Sequence, residues 1–352
     1  MAVYTQIQED EIEQLFQKEF GYARQKIKSC RPMKQGLRNS NYLVETEHGS
    51  KYMLRICDDQ SIEQVGKQIK LLYFLRKSGF CTEVPPPLVP YYCSPEYSSP
   101  FKKDENREGH NTDDLEKVVL LKGKPVILTG YIEGETIAQL DAEQLEHIGM
   151  TMRSLHGFIN KYNYLMHFKV AEFLSYQHPY GFQAYHEKIM KSDHPYVQWF
   201  LKKKDYFNQR ENLPDNIEWG LVHGDLWADN VLFLDGKLRS FLDFESACIL
   251  PRMFDIGMTI IGACRDEKDN FDGKRIRALL KGYGHEYSIP EHEKRLIQPY
   301  TAYAAAVISI WRFYHFNIQN EERQNARHQE AVDLCERIES IPKERFIEEF
   351  IK

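Results

Sequence analysis

The sequence predicts an α+β fold of two lobes: a small N-terminal lobe on an antiparallel β-sheet, then a larger, mainly helical C-terminal lobe. Three observations carry that prediction. NSNYLVETEHGSKYMLRIC (39–57) alternates apolar and polar residues on either side of a His-Gly turn, the pattern of a β-hairpin. From Asp141 apolar residues recur at helical spacing almost to the last residue. One segment breaks that rhythm: LVHGDLWADNVLFLDGKLRSFLDFE (221–245) sets two short apolar strands about an Asp-Gly turn and places acidic and amide side chains at their open end.

Taken in order, QEDEIEQLFQKEF opens acidic and spaces Ile12, Leu15 and Phe16 as a helix. After the first hairpin a helix is expected at about 61–78, with Val65, Ile69, Leu72, Phe74 and Leu75 as its apolar stripe and Gly79 closing it. Pro85-Pro86-Pro87 begins an extended segment. Residues 94–117 are polar, charged and turn-rich; too poor in apolar side chains to pack, they are expected to form a mobile surface insertion. VVLLKGKPVILTGYI (118–132) returns to strand about a Gly-Lys turn. The N-terminal lobe is therefore expected over 1–131 and the C-terminal lobe over 132–352. DAEQLEHIGMTMRSLHGFI starts the second lobe as a helix capped by Asp141, with Leu145, Ile148, Met152 and Leu155 on one face. Further helices are expected near 183–208, 253–264, 273–282, 291–319 and 326–338.

Composition narrows the function. A formal charge of −6 lacks the basic face that nucleic acid requires, so no nucleic-acid partner is expected. No apolar run reaches the length of a membrane span, and the acidic N-terminus lacks the layout of a secretory signal; a cytoplasmic protein with no membrane partner is the expectation. The seven cysteines are scattered without a Cys-x-x-Cys pair, which suits neither a disulfide scaffold nor a zinc site. Oligomeric state is not legible.

The chemistry lies in the second hairpin. VLFL (231–234) and RSFL (239–242) are its expected arms, and pairing them across the turn sets Asn230 opposite Leu242 or Asp243. A carboxamide oxygen and a carboxylate at one open end are hard donors suited to Mg²⁺ bound jointly with substrate phosphates. Asp225, five residues before Asn230, is near enough to accept or orient a hydroxyl proton beside such a centre. Asp-x-x-x-x-Asn, a short hairpin and Asp-Phe-x, in that order, form the arrangement that phosphoryl transfer from a Mg-nucleotide uses in the kinase fold.

With His-Gly-Asp in place of His-Arg-Asp, this segment resembles the aminoglycoside phosphotransferase and choline kinase superfamily of small-molecule kinases, over about residues 25–320. QGLRNSNYLVETEHGSKYMLRI, KGKPVILTGYIEG, LVHGDLWADNVLF, FDIGMTI and AAAVISIWRFYHF are most similar to its bacterial homoserine kinase branch. The resemblance implies a protein-kinase-like bilobal fold, ATP and Mg²⁺ as cofactors, Asp225 as catalytic base, and Asn230 and Asp243 as metal ligands. It implies that His223 braces the catalytic loop and that Asp255 holds the loop's backbone from the start of a helix. Thr129, Gly130 and Tyr131 would be the hinge that meets adenine through backbone groups. In the phosphate-covering turn, PMKQGLRNSNY, Gly36 and Ser40 would contact phosphate, with one glycine where protein kinases have several. Arg55 stands where protein kinases have lysine, and can hold phosphate oxygens in a bidentate way. Near the expected partner position on the next helix stands Gln68, with Glu63 a turn earlier.

The acceptor is expected to be a hydroxyl on a small amino-bearing molecule, with Trp227, Glu245, Trp311, Arg312 and Tyr314 as candidate contacts. Homoserine would want an acidic and a guanidinium partner, for which Glu245 and Arg312 are suited. A choline- or ethanolamine-like cation would want an aromatic cage, hydroxylysine or an amino sugar further polar groups. Two other classes stay open. A metal-dependent phosphatase would need more histidine ligands, and His156 and His285 lack metal-ligand spacing. A degenerate kinase-fold binding module would have no physical need of Asp225, Asn230 and Asp243 together.

Overall fold

A computed structural model describes residues 5–20, 26–33, 38–77, 79–80, 118–161, 178–179, 181–208, 217–285, 288–319 and 326–352. The insertion expected at 94–117 and Gly36 lie outside the described residues. The chain divides into two compact units, Met1–Gly79 with Glu83–Glu133, and Phe80–Thr82 with Gly134–Lys352. The main boundary thus falls two residues beyond the one read from the sequence.

In the first unit, α1 (Glu9–Lys18) buries Ile12, Leu15 and Phe16 as its spacing dictates. Its first turn carries Glu9, Asp10 and Glu11, which suit the positive end of the helix dipole. The sheet comprises β1 (Ile27–Pro32), β2 (Ser40–Thr46), β3 (Lys51–Ile56), β4 (Leu120–Leu121) and β5 (Lys124–Gly130). All its pairs are antiparallel, in the order β1-β2-β3-β5-β4. One face sets Val44, Tyr52, Leu54, Ile56, Val126 and Leu128 in a core with Phe16 and its neighbours. On the opposite face α2 (Ile62–Lys77) packs Val65 and Ile69 against Cys57 and Ile127. Asp58 ties the sheet together: it accepts from the Thr5 hydroxyl at 2.5 Å, the Ser40 N–H at 2.9 Å and the Lys124 ammonium at 2.6 Å. Burial raises its pKa, but the Lys124, Ser40 and Thr5 hydrogen bonds outweigh that and hold it below the usual carboxylate value.

Two details depart from the sequence reading. IKSCRP has no alternation, yet it forms β1 because β2 offers it a complete edge, with Cys30 opposite Val44. The β4–β5 turn is Lys122-Gly123, not Gly123-Lys124: both residues take positive φ (52° and 76°), and Leu121 pairs with Lys124.

The second unit contains α3 (Ala142–Lys161), α4 (His186–Ile189), α5 (Tyr196–Asn208), β6 (Trp219–Val222), β7 (Val231–Leu234), β8 (Lys237–Phe241) and β9 (Cys248–Pro251). Five α-helices follow among the described residues: α6 (Met253–Ala263), α7 (Gly273–Tyr283), α8 (Glu291–Phe313), α9 (Arg327–Ser340) and α10 (Lys343–Phe346). Asp141 does cap α3, exchanging hydrogen bonds of 2.9 Å with Gln144. The single helix expected at 183–208 is two, because Pro195 disfavours helical backbone at His194 and is itself suited only to a helix start. The core is α6, α8 and α9, with Phe254, Met258, Ala305, Ile310, Val332 and Ile338 among its buried side chains. Every residue of α6 but Gly262 is buried, as its nearly continuous apolar sequence requires. Among the described residues no helix is long and apolar enough to cross a membrane.

Candidate active site

Four short strands frame the second-unit loop that carries Asp225. β6 pairs with β9, a pairing not anticipated from sequence, which sets Leu221 opposite Ile249 and Val222 opposite Cys248. β7 and β8 form the expected hairpin, with Leu234 opposite Lys237 and a two-residue turn. Asp235 and Gly236 both have positive φ there (51° and 74°), the conformation a right-twisted hairpin demands.

The open end of that hairpin is fixed from both sides. The Leu242 N–H donates to the Asn230 carbonyl at 2.9 Å, while the His223 imidazole Nε2 meets the Leu242 carbonyl at 2.7 Å. Asp243 follows at once, in left-handed backbone (φ 62°, ψ 62°), and starts the 3₁₀ turn Phe244–Ser246. Such backbone is uncommon away from glycine and persists where its surroundings hold it. Asn230 ends another 3₁₀ turn, Ala228–Asn230. Its side-chain NH₂ donates to the Asp225 carbonyl at 2.8 Å and reaches the Asp225 carboxylate Oδ2 at 3.4 Å. The amide nitrogen is thereby held on Asp225.

Behind this end lies a buried brace. Asp255, in the first turn of α6 and wholly inaccessible, accepts the His223 N–H at 2.6 Å and the Gly224 N–H at 2.8 Å. It also meets His156 Nε2 at 3.0 Å. The expected hold on the loop's backbone is therefore present, but Asp255 is not an N-cap; that position belongs to Arg252, which makes no side-chain cap bond. His223 Nδ1 receives the Asp225 N–H at 3.3 Å, so both ring contacts are satisfied only in the neutral Nε2–H tautomer. Burial pushes the His223 pKa down and keeps it neutral. Gly224 has φ +82°, and a Cβ there would lie 2.3 Å from the Ser246 carbonyl oxygen. Only glycine lets the Asp225 loop approach the turn after Asp243 so closely.

Sequence reasoning missed three members of this brace: His156, Tyr283 and His178. His178 Nε2 meets the Gly224 carbonyl at 2.9 Å. A signal for His156 existed. It continues the buried stripe of α3 at four residues beyond Met152, a polar side chain where an apolar one was due. His178 carried no such signal.

The other expected residues fall as follows. Trp227 lays its ring on Gly262 of α6, at 2.8 Å from where a Cβ would stand. Glu245 is half-buried in the turn after Asp243. Arg312, near the end of α8, donates to the Arg327 carbonyl and to Glu330, both at 3.1 Å, and so joins α8 to α9. Trp311 packs against His315 and Phe316; Tyr314 stacks on Tyr185 at 4.2 Å and accepts from Lys188. In the first unit, Arg55 Nε donates to the Asn41 side chain at 3.2 Å. Gln68 on α2 is buried, and its amide oxygen meets no hydrogen-bond donor among the described residues. Tyr131 gives its N–H to the Lys51 carbonyl at 3.1 Å, and Thr129 and Gly130 pair with Met53 and Tyr52. Ser40 is fully buried; it donates its hydroxyl to Asp58 at 2.6 Å and accepts the Thr5 N–H. Its oxygen stabilises the Asp58 knot.

Asn230 and Asp243 fit a hard divalent cation. Among the described residues no cluster of three or more His, Cys, Asp or Glu could hold one unaided, so phosphate oxygens and water would have to complete its shell. Oxygen donors of that kind beside a carboxylate on a rigidly held loop are the equipment of a phosphotransferase. The chain belongs to the phosphotransferase enzyme family (APH), whose sequence model matches residues 29–289, and it is a small-molecule kinase of that family. The homoserine kinase of Zymomonas mobilis subsp. mobilis is 25% identical over 297 residues, 84% of this chain and 82% of its own. That of Neisseria meningitidis serogroup B is 25% identical over 315 residues, 88% of this chain and 90% of its own. Among solved structures, amicoumacin kinase hAmiN in complex with AMP-PNP, Ca2+ and Ami superposes with a TM-score of 0.61 at 16% identity, covering 89% of each chain. Plasmodium vivax ethanolamine kinase superposes with a TM-score of 0.60 at 15% identity, covering 89% of this chain and 82% of its own. Both likenesses establish a protein-kinase-like fold.

Proposed function

We propose that the chain transfers the γ-phosphoryl group of ATP to the hydroxyl of a small amino-bearing acceptor, homoserine first among them. The observation that carries this reading is the Asn230 amide clamped on Asp225 at the end of the hairpin that leads into Asp243. Two relatives named homoserine kinase, matched over more than four-fifths of the chain, support the choice of acceptor.

In this reading the Asp225 carboxylate receives or orients the acceptor's hydroxyl proton, and the His223–Asp255 brace keeps it in place. Asn230 Oδ1 and the Asp243 carboxylate would hold Mg²⁺, which when bound would offset charge on the β- and γ-phosphates. Arg55 pairs with phosphate oxygens, already steadied at Nε by Asn41. The backbone at Thr129, Gly130 and Tyr131 serves adenine through the groups the sheet does not use. Trp227 and Glu245 flank the loop and serve the acceptor. Arg312 would meet a substrate carboxylate only by sharing its charge with Glu330.

Purified protein with ATP and Mg²⁺ should release ADP faster with homoserine than with ethanolamine, choline, hydroxylysine or amino sugars. Faster turnover with ethanolamine or choline would overturn homoserine and leave the kinase. No acceptor-dependent ADP release from any of them would overturn the whole reading.

A further inference from the structure

We infer that His156 is a positioning residue for phosphoryl transfer: with Tyr283 it fixes the Asp255 carboxylate, and through Asp255 the backbone of the loop that carries Asp225. The inference rests on the phosphotransferase reading above and adds to it two residues on helices outside the catalytic segment.

The geometry begins with how α3 and α7 meet. A Cβ on Gly149 would lie 2.2 Å from the Leu279 carbonyl oxygen, and one on Gly282 would lie 2.0 Å from that of Glu146. Two glycines therefore let the helices touch backbone to backbone. Two turns beyond Gly149, on the same side of α3, stands His156; directly after Gly282 stands Tyr283. Both are completely buried. The Tyr283 hydroxyl lies 2.9 Å from His156 Nδ1, and His156 Nε2 lies 3.0 Å from Asp255 Oδ2.

Protonation states settle the direction of each bond. Burial pushes the His156 pKa down, against the pull of Asp255, so the ring is neutral with one proton. Burial raises the Asp255 carboxyl, yet the hydrogen bonds from His156 and the loop amides outweigh it and keep the group ionised. Tyr283 is pushed up to about 12 by burial and stays a donor. The Tyr283 O–H accordingly donates to Nδ1, and the Nε2–H donates to Asp255. Asp255 then has three donors: His156, the His223 N–H and the Gly224 N–H. A buried carboxylate deprived of one of three donors tends to take up a proton, and a neutral carboxyl grips two amides less firmly. The loop would then wander, with Asp225 one residue beyond Gly224.

A purely structural histidine would change stability alone. His156→Leu removes the donor; His156→Gln keeps an N–H where Nε2 stood; Tyr283→Phe removes only the hydroxyl and leaves the ring packing. We expect His156→Leu to lower kcat about 10- to 100-fold, the range for losing a group that orients another from behind. KM for ATP and for the acceptor should stay within about twofold, because nothing that touches either has changed. His156→Gln should restore most of the loss, and Tyr283→Phe should sit between the two. Amide hydrogen exchange on the same proteins reads the loop itself: peptides spanning 221–226 should lose protection in His156→Leu relative to those of the β7–β8 hairpin. Unchanged kcat in folded His156→Leu, or no rescue by glutamine, overturns the inference. So does unchanged exchange at 221–226, a readout that holds even if the wild type phosphorylates no acceptor, in which case the kinase reading alone fails. Should His156→Leu not fold, Tyr283→Phe and His156→Gln carry the same comparisons.

Discussion

In the proposed reading the chemistry turns on one side chain, Asp225, and its surroundings set what a substitution should do. Asp225→Asn keeps size and loop geometry but removes the proton acceptor, so turnover should fall by ~10²–10⁴ with the fold intact. ADP release and a thermal melt on one preparation check both halves; near-normal turnover would take Asp225 out of the mechanism. Gly224→Ala should act oppositely, through structure. Its φ of +82° and the 2.3 Å approach to the Ser246 carbonyl leave no room for a Cβ. Strain of that backbone alone costs about 1–3 kcal/mol, so the melting point and kcat should fall together. Asp225, Asn230 and Asp243 stood out in the sequence because their order and spacing have a chemical meaning that survives without coordinates; the structure sets the Asn230 amide on Asp225. A hydroxyl beside a glycine turn gives no sign in sequence of the half-buried Asp58 that Ser40 meets in the structure. His156 and His178 work across 99 and 46 residues of chain, a separation that a local pattern cannot bridge.

Among the elements, the β7–β8 hairpin is the one the sequence stated best, because Asp-Gly between apolar arms has few other conformations open to it. Its function can be tested at its open end. Asp243→Ala removes a charged oxygen donor from the end of the hairpin while leaving the Leu242–Asn230 pairing that closes it. The Mg²⁺-dependent gain in ATP affinity should shrink, with little change in the affinity measured without Mg²⁺. Calorimetry in both conditions decides; a full magnesium enhancement in the variant would move the metal site elsewhere. Elements that escaped the sequence did so for a common reason. β1 and the β6–β9 pair are held by what lies beside them: IKSCRP lacks alternation, and WGLV and CILP are too short for any period to register. The break at Pro195, by contrast, was written in the chain, and the helical spacing on either side concealed it.

At the scale of the whole molecule, the two units carry separate apolar cores and differ in the titratable groups they bury. The change from strand alternation to helical period in the sequence falls near the division at Glu133/Gly134. The second unit buries His156, His178 and His223, all with pKa values lowered by loss of solvent, His178 to about 4. In the unfolded chain each would titrate near 6.5. Above that pH both states are neutral and stability is level; as pH falls below it, the unfolded chain takes up protons that the folded one refuses. Stability therefore declines from about pH 6.5 down to the folded pKa, and His178 alone contributes about 3 kcal/mol of that decline. The first unit behaves differently. Its half-buried Asp58 has a lowered pKa, so its contribution is complete above the ordinary carboxylate value and is lost only as pH falls through the folded one. Acid should accordingly weaken the second unit first. All four tryptophans (199, 219, 227 and 311) lie in that unit, so their fluorescence follows it alone, while hydrogen exchange across β2, β3 and β5 follows the first. Urea melts between pH 7.5 and 4.5 should show the fluorescence midpoint sliding downward before exchange in the sheet responds. A midpoint that stays level down to pH 4.5 would mean that these histidines are not buried neutral, and with them would go the charge assignment of the brace behind Asp225.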